Sequence, residues 1–257
     1  MTTAADFSPD GYRRLIGSFL DTGYEVRNFD DVEQEKPHLI LRHDVDQSLQ
    51  AAVQLAKLEA NIGVSSTYFV LLRTEMYNPL SRDGMDAMRA IRACGHRIGL
   101  HFDASLYDDD RDIFEAAAER ECAILETALE EAVGDISFHR PVRSLLGLPG
   151  RFAGRLHVYD PVFYSDMAYC SDSRGGWGHG HPCDHAAFDA HKAMQLLTHP
   201  VWWVTPDADP VEKIGTVLDA RLERLHRELR DNCEPWSNAT RIDPAETRAE
   251  IPGRIRR

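Results

Sequence analysis

The feature that most limits the fold of this chain is an alternation of short apolar segments with helix-like segments. Residues 39–46 form one apolar, strand-like run and residues 66–72 form the next. Between them, residues 48–62 place alanine, leucine and valine at helical spacing, and Gly63 follows as a typical helix stop. Strands that alternate with helices in this way predict parallel strands joined by right-handed crossovers.

The same alternation continues through most of the chain. Two more helices are predicted, from about 82 to 94 and from about 112 to 132. Residues 162–167 and 169–171 have the composition of one or two strands, and leucines at helical spacing over 211–229 predict a terminal amphipathic helix. We therefore expect an α/β fold in which the strands form a closed or nearly closed barrel.

Composition supports one main domain. The chain has 257 residues and is 43% hydrophobic, which is enough to bury a large core, and barrels of this size commonly form a single unit. We predict one domain over residues 1–230, followed by a polar, Pro-containing tail over 231–257. This tail is expected either to be flexible or to pack on a partner subunit.

The formal net charge of −13 argues against nucleic acid and anionic membrane surfaces as partners, because both attract basic patches. The first residues carry no basic and apolar leader, and no stretch approaches the roughly 20 apolar residues of a membrane span. We therefore expect a cytoplasmic protein without a membrane span. The sequence leaves its oligomeric state open.

Two carboxylates, Asp44 and Asp46, end the first apolar run. A spacing of two places both side chains on the same face of a strand, and two like charges held so close resist joint ionisation unless a cation or a proton intervenes. One interpretation divides the roles: Asp46 binds a metal ion and Asp44 takes a proton from the water that the ion activates. The alternative is a strand end whose acids cap the following helix.

Three further strand-like segments each end in a histidine, at His101, His139 and His199. One such histidine would carry little weight, because a single buried histidine is usually structural. Three histidines at the ends of three strands favour a functional role instead, since the carboxyl ends of barrel strands converge on the active site. We expect these histidines to lie close to the paired carboxylates.

Five segments appear in an order that resembles a known family. They are HDVD (43–46), GHRIGLHFD (95–103), FHRP (138–141), YCSDSRGGW (169–177) and LLTHPVWW (196–203). Over about residues 36–204 the chain resembles the polysaccharide deacetylase family of metal-dependent carbohydrate esterases. The resemblance implies a distorted (β/α) barrel with fewer than eight units, here about seven parallel strands.

The resemblance also implies roles for individual residues. It assigns Asp44 as catalytic base, Asp46 as metal ligand, His101 as first histidine ligand, Asp172 with Trp177 as a supporting segment, and His199 as catalytic acid.

Two positions depart from the family pattern. Ser105 stands where the family has a second histidine ligand, and His139 stands where it has an arginine, with Arg140 one place later. We infer that His139 supplies the lost ligand from a neighbouring strand, which completes an Asp-His-His site of the open, catalytic kind. Asp103 is a competing ligand. Arg140 is then expected to hold Asp44 in its ionised form.

Aromatic residues are candidates for the substrate pocket. Trp177, Trp202 and Trp203 suit the wall of an acyl or sugar site, although core packing is the more frequent role for at least one of the adjacent pair. If 202 and 203 lie on a strand, only one of them faces the site. We count Asp103, Trp177 and Trp202 as candidate substrate-binding residues.

The paired carboxylates, the strand-end histidines and the family resemblance together predict a metal-dependent hydrolase that removes an N-acyl group, acetyl or formyl, from an amino sugar. The cofactor is one divalent ion, with zinc favoured by the mixed nitrogen and oxygen ligands. The expected substrate is a small or carrier-linked N-acyl sugar used in surface polysaccharide assembly. Two alternatives stay open: an amidase or imidase acting on a non-sugar C–N bond, and a non-catalytic sugar-binding relative. The joint presence of Asp44, Asp46 and His199 argues against the second, since binding alone needs no acid and base.

Overall fold

The computed structural model of this protein describes residues 7–33, 36–178, 180–205 and 208–239. The chain divides into two compact units, Met1–Ile214 and Gly215–Arg257. Most of the predicted C-terminal tail, from residue 240 onward, lies outside the described residues. The division into a domain over 1–230 and a tail therefore stays a prediction.

Within the described residues, eight strands pair in parallel to form one sheet. In chain order they are β1 (Glu25–Arg27), β2 (His38–Val45), β3 (Thr67–Val70), β4 (Arg97–Asp103), β5 (Asp135–His139), β6 (Leu156–His157), β7 (Ala168–Ser171) and β8 (Met194–Thr198). Seven of them follow one another in the order β6-β5-β4-β3-β2-β8-β7, and β1 pairs with β2 beside this path. Since β6 and β7 end the path, the barrel is open there. The predicted fold class, a distorted (β/α) barrel with about seven parallel strands, is confirmed.

The α-helices of the described residues are α1 (Pro9–Asp21), α2 (Leu49–Ile62), α3 (Arg82–Ala93), α4 (Arg111–Leu129), α5 (Pro161–Tyr164), α6 (Ala186–Asp189), α7 (Pro200–Trp203), α8 (Pro210–Asn232) and α9 (Glu234–Ala239). The helices predicted over 48–62, 82–94 and 112–132 are confirmed as α2, α3 and α4. The α2 helix ends where predicted, because Gly63 adopts a positive φ of 84° that few other residues tolerate. Among the described residues, no helix has the length and apolar character needed to cross a bilayer.

Part of the strand predicted over 162–167 is a helical turn instead, and so are residues 200–203, for which the sequence left a strand open. Residues 161–164 form α5, where Pro161 occupies the first turn and the Asp160 side chain accepts a hydrogen bond from the Val162 amide. Residues 200–203 form α7, which begins at Pro200. Proline at the start of a helix presets the backbone for it, and this preference outweighs the strand tendency of the valine and tryptophan residues that follow.

The central strand β2 is buried along its whole length. Its even-numbered residues, Ile40, Arg42 and Asp44, share one face of the strand. Ile40 packs in a cluster with Phe69 on that face, whereas Val45 on the opposite face joins a cluster with residues of the surrounding helices. On β4, a side chain at Gly99 would meet the Phe69 ring at 2.6 Å. Glycine at this position thus makes room for the aromatic layer beneath the polar end of the barrel.

Candidate active site

The candidate site lies at the carboxyl ends of five strands. It contains Asp44 and Asp46 from the end of β2, His101 from β4, His139 from the end of β5, Asp172 after β7, and His199 after β8. In a parallel sheet these ends meet at one edge of the barrel. The structure therefore brings together the carboxylates and the three strand-end histidines that the sequence singled out.

Three of these residues form a cluster suited to a metal ion. Potential ligand atoms of Asp46, His101 and His139 all lie within 4.8 Å of one another. The His101 Nε2 atom is 3.1 Å from Asp46 Oδ1 and 3.2 Å from His139 Nδ1, and His139 Nδ1 is 3.4 Å from Asp46 Oδ1. Burial alone would raise the pKa of Asp46, but the two imidazoles outweigh it and hold that pKa well below its usual range.

The cluster passes a simple test of fit to a divalent ion. Asp46 Oδ1 is buried and has no hydrogen-bond partner of good geometry among the described residues. A buried carboxylate oxygen without a partner costs free energy unless a cation or a donor satisfies it. Two imidazole nitrogens and one carboxylate oxygen form the three-ligand donor set of open, catalytic zinc sites.

Asp44 lies beside the cluster and is paired with an arginine of its own strand. Arg42 donates from Nε to Asp44 Oδ1 at 3.0 Å and from Nη2 to Asp44 Oδ2 at 2.8 Å, and the Ser137 hydroxyl lies 3.2 Å from Oδ1. Gln195 accepts a further bond from the same guanidinium. Burial would raise the pKa of Asp44, but the Arg42 charge outweighs it and lowers the pKa, so the carboxylate is ionised.

The expected pairing of Arg140 with Asp44 does not form. The Arg140 side chain is 67% exposed and its guanidinium lies 3.1 Å from Asp103 Oδ2. Arg140 comes just after β5 with a positive φ of 48°, where the chain has left the strand. Arg42, by contrast, is two residues before Asp44 on one strand and therefore shares its face. The spacing of two residues between Arg42 and Asp44 is the sequence signal that identifies Arg42 as the partner of Asp44.

Asp103, the competing ligand, is also occupied elsewhere. It accepts hydrogen bonds from the backbone N–H and the hydroxyl of Ser105, at 3.0 and 2.6 Å. Together with the Arg140 ion pair, these bonds direct Asp103 toward the turn that follows β4. The histidine beside Asp46 and His101 is His139, and Asp103 does not belong to the cluster.

His199 is held by a buried carboxylate. Its Nδ1 atom is 2.7 Å from Asp172 Oδ1, and its backbone N–H donates to both carboxylate oxygens at 3.0 Å. The free Nε2 atom is 3.8 Å from Asp46 Oδ2. Burial alone would lower the pKa of His199, but the Asp172 charge and hydrogen bond outweigh it and raise the pKa to about 9. The His199 imidazole therefore carries its proton at neutral pH.

The tryptophans take positions that the sequence did not predict. Trp203 donates from Nε1 to Asp172 Oδ2 at 2.7 Å, so it supports Asp172 in place of Trp177. Trp177 packs against Phe7, with ring centroids 5.6 Å apart. Trp202 is buried in α7, with its ring 3.6 Å from the position of a side chain at Gly175. Because α7 is a helix, strand alternation does not decide which tryptophan faces the site.

A second buried network supports the site from the opposite face of β2. The Glu59 carboxylate accepts hydrogen bonds from the hydroxyls of Tyr12 and Tyr68 and lies 2.9 Å from His43 Nε2. The other nitrogen of His43 is 2.7 Å from the Thr198 hydroxyl. His43 and Thr198 directly precede Asp44 and His199. This contact therefore fixes the ends of β2 and β8, from which base and acid candidates project.

Comparison with solved structures finds similar chains at low sequence identity. IcaB from Ammonifex degensii is 12% identical over 51% of this chain and 66% of that chain, with a TM-score of 0.41. The deacetylase PplD of Streptococcus pyogenes is 12% identical over 81% and 86%, with a TM-score of 0.43. A CE4 family pseudoenzyme from Bacillus anthracis is 10% identical over 75% and 63%, with a TM-score of 0.36.

This chain thus spans slightly less than two thirds of the IcaB chain and of the pseudoenzyme. By name, PplD is a deacetylase and the Bacillus anthracis protein is a CE4 family pseudoenzyme. No protein-family model matches the sequence, and the comparison with curated proteins finds no significant match.

Proposed function

We propose that this protein is a metal-dependent hydrolase that removes an N-acyl group, acetyl or formyl, from an amino sugar. The observation that carries the proposal is the arrangement at the carboxyl ends of the strands. A three-residue cluster suited to a metal ion lies between an ionised carboxylate, Asp44, and a protonated imidazole, His199. The motif resemblance to polysaccharide deacetylases supports the choice of an N-acyl sugar as substrate class.

Asp46, His101 and His139 are the residues that would hold the ion. When bound, a divalent ion supplies Lewis-acid chemistry, because it lowers the pKa of a coordinated water and polarises a carbonyl oxygen. Zinc is the ion that the donor set favours, since zinc accepts imidazole nitrogen and carboxylate oxygen in three-ligand catalytic sites. The unpartnered Asp46 Oδ1 supports this assignment.

Asp44 is proposed as the general base. Arg42 keeps its carboxylate ionised and fixes its orientation through two parallel hydrogen bonds. Each carboxylate oxygen has two lone pairs, so the pair with Arg42 leaves room for a proton taken from the attacking water. Asp44 Oδ2 is 3.7 Å from His101 Nε2, and this short distance supports a base beside the residues that would hold the ion.

His199 is proposed as the general acid. Asp172 binds its Nδ1 side, so the proton available for transfer is on Nε2, which points toward the Asp46 carboxylate. In the overall reaction water forms the new C–O bond, the amide C–N bond breaks, and His199 gives its proton to the leaving amine. The products are an amino sugar and a short carboxylate. Acid and base groups of this kind each contribute typically about 10²- to 10⁴-fold to the rate.

We propose a small or carrier-linked N-acyl sugar in the cytoplasm as the substrate, used in surface polysaccharide assembly. The strongest rival within enzymes is an amidase or imidase that uses the same site on a non-sugar C–N bond. The rival outside enzymes is a sugar-binding relative without activity. One substrate panel distinguishes all three.

The experiment measures carboxylate formation by purified protein loaded with zinc, cobalt or nickel, as acetate or formate released from acyl substrates and as the ring-opened acid formed from cyclic imides. The panel contains N-acetyl and N-formyl nucleotide sugars, amino-sugar oligomers, simple amides and cyclic imides. We expect acid release from at least one amino sugar and loss of that activity in the Asp44→Asn variant. Turnover of amides or imides alone would replace the proposal with the first rival. Sugar binding without release of any acid, in protein that retains metal, would establish the second.

A further inference from the structure

The second compact unit, Gly215–Arg257, contains the long C-terminal part of α8, and this part presents a leucine stripe to solvent. Leu218, Leu222, Leu225 and Leu229 are 52%, 44%, 45% and 44% exposed. Single exposed leucines are normal on protein surfaces, but contiguous apolar patches on a soluble protein usually mark a contact surface. An amphipathic helix also gains most of its stability by covering such a stripe.

The spacing of the stripe specifies how it can be covered. The intervals between successive leucines are four, three and four residues. This is the seam of a left-handed pair of helices, in which side chains of one helix insert between those of the other. The stripe, over residues 218–229, is about 17 Å long, since a helix rises about 1.5 Å per residue. It therefore matches another helix of similar length and the same spacing.

We propose that this stripe binds the same stripe of a second copy of this chain, with the two helices antiparallel. A two-fold axis between residues 223 and 224 places Leu218 opposite Leu229 of the second copy, and Leu222 opposite Leu225. A self-complementary patch of this kind is what a symmetric dimer requires.

The charges that flank the stripe favour the antiparallel orientation. The same axis places Arg221 beside Glu228 of the second copy, and this contact occurs twice by symmetry. On the other flank it places Asp219 beside His226. In a parallel pair of helices, Arg221 would instead lie beside His226 of the second copy, and histidine offers no negative charge to pair with arginine. Opposite charges at flanking positions set the partner and orientation of paired helices.

In the described part of the chain, Asp219 and Glu228 are exposed and Arg221 is half-buried. The Glu228 side chain accepts a hydrogen bond from the Asn232 side-chain amide. His226 is partly covered, because the Trp236 ring of α9 stacks on it at 5.6 Å. The contact between Arg221 and Glu228 is therefore the one that a charge exchange can test.

A stripe about 17 Å long buries less surface area than the interface of a typical stable dimer. We therefore expect association that depends on concentration, and the test is sedimentation equilibrium of the full chain from about 5 to 500 µM. The average mass of the wild-type protein should rise from one chain toward two. Leu222→Glu/Leu225→Glu should remain a single chain, whereas Ala220→Glu, which adds one negative charge outside the seam, should behave as wild type. Circular dichroism checks that each variant keeps its helix content.

The orientation is tested by exchanging charges. Arg221→Glu should weaken association at least about tenfold, because it creates two like-charge contacts. Arg221→Glu/Glu228→Arg should restore it, and Arg227→Glu, at an exposed position away from the seam, serves as the matched charge change. Wild-type protein that stays a single chain at about 500 µM, or a double leucine variant that still dimerises, would overturn the proposal. The antiparallel orientation would be wrong if Arg221→Glu/Glu228→Arg failed to restore the association that Arg221→Glu weakens. None of these measurements depends on the enzymatic activity.

Discussion

Arg42 and Asp44 form a two-point ion pair inside the barrel, in which both partners come from the same strand. The Arg42 side chain is 1% exposed, and its guanidinium also contacts Ser137 and Gln195 on two other strands. A buried arginine must be paired and hydrogen-bonded to be tolerated at all. The pair is therefore a structural requirement as well as the group that sets the charge of the proposed base.

Removing Arg42 should cost much more stability than removing Arg140. Arg42→Met leaves the buried Asp44 carboxylate without an opposite charge beside it, and we expect the free energy of unfolding to fall by about 3 to 5 kcal/mol. Arg140→Met should change it by less than about 1 kcal/mol, because that ion pair is exposed on the arginine side. Urea unfolding measures both. Equal losses would mean that Arg42 is not the buried partner of Asp44.

Metal content should separate Asp46 from Asp44. Asp46→Ala removes the carboxylate ligand and should abolish stoichiometric binding of a divalent ion. Asp44→Asn leaves all three proposed ligands in place and should retain most of the ion while turnover is lost. Elemental analysis after gel filtration measures the ion content, with Asp103→Ala as the control. Near-stoichiometric metal in the Asp46→Ala protein would show that the ligand assignment is wrong.

The third ligand should be His139. His139→Ala should weaken zinc binding by more than about tenfold, because a ligand contributes at least as much as the outer contacts that orient it. Ser105→Ala should barely change zinc affinity, since its hydroxyl is occupied by Asp103. Competition titration against a chromogenic chelator gives both affinities. The reverse ranking would place the third ligand on the turn after β4.

The His199 variants should lose turnover and keep the metal. His199→Gln removes the proposed proton donor, and we expect turnover to fall by about 10²- to 10⁴-fold. Asp172→Asn should lower it in the same direction, because Asn cannot balance the imidazolium charge. Trp203→Phe removes one hydrogen bond to Asp172 and should have the smallest effect. If His199→Gln lost its ion instead, His199 would be a ligand and not the acid.

Asp135, at the start of β5, should make stability depend on pH. Burial raises the pKa of this carboxyl to about 6 in the folded protein, against an ordinary value near 4 in the unfolded chain. A raised carboxyl pKa is a cost to folding that is absent below about pH 4 and complete above about pH 6. Asp135→Asn should therefore stabilise the protein by roughly 2 to 3 kcal/mol at pH 7.5 and by little at pH 4.

The exposed carboxyl of Asp21, changed to Asn, is the control for this measurement. Thermal unfolding of the two variants and the wild type at both pH values gives the comparison. A stabilisation by Asp135→Asn that is the same at pH 4 and pH 7.5 would show that burial does not raise the pKa of this carboxyl.

The helices α2, α3 and α4 and the strand-end positions of the acids and histidines were predictable, because hydrophobic periodicity and terminal polar residues are local signals. The arginine that pairs with Asp44 was not found, since motif order suggested Arg140 whereas the face of β2 selects Arg42. Trp203 was missed as the partner of Asp172 because α7 was read as a strand.

Other parts of the fold gave no usable local signal. Strands β1 and β6 contain three and two residues, too few to show an alternation. The network around Glu59 depends on contacts between residues far apart in sequence, such as Tyr12 and Tyr68. No spacing rule connects such residues before the fold is known.

The three proposed ligands, at positions 46, 101 and 139, belong to three separate strands. A ligand pair within one turn would bind an ion even in a partly folded chain, whereas this set is assembled only when β2, β4 and β5 are in register. Binding of an ion by these three residues would therefore be thermodynamically linked to the folding of the barrel. At an ion concentration a thousandfold above the Kd, that linkage is worth about 4 kcal/mol. A chelator would accordingly act on this protein as a denaturant, and amide exchange in those strands would report ion occupancy without any substrate.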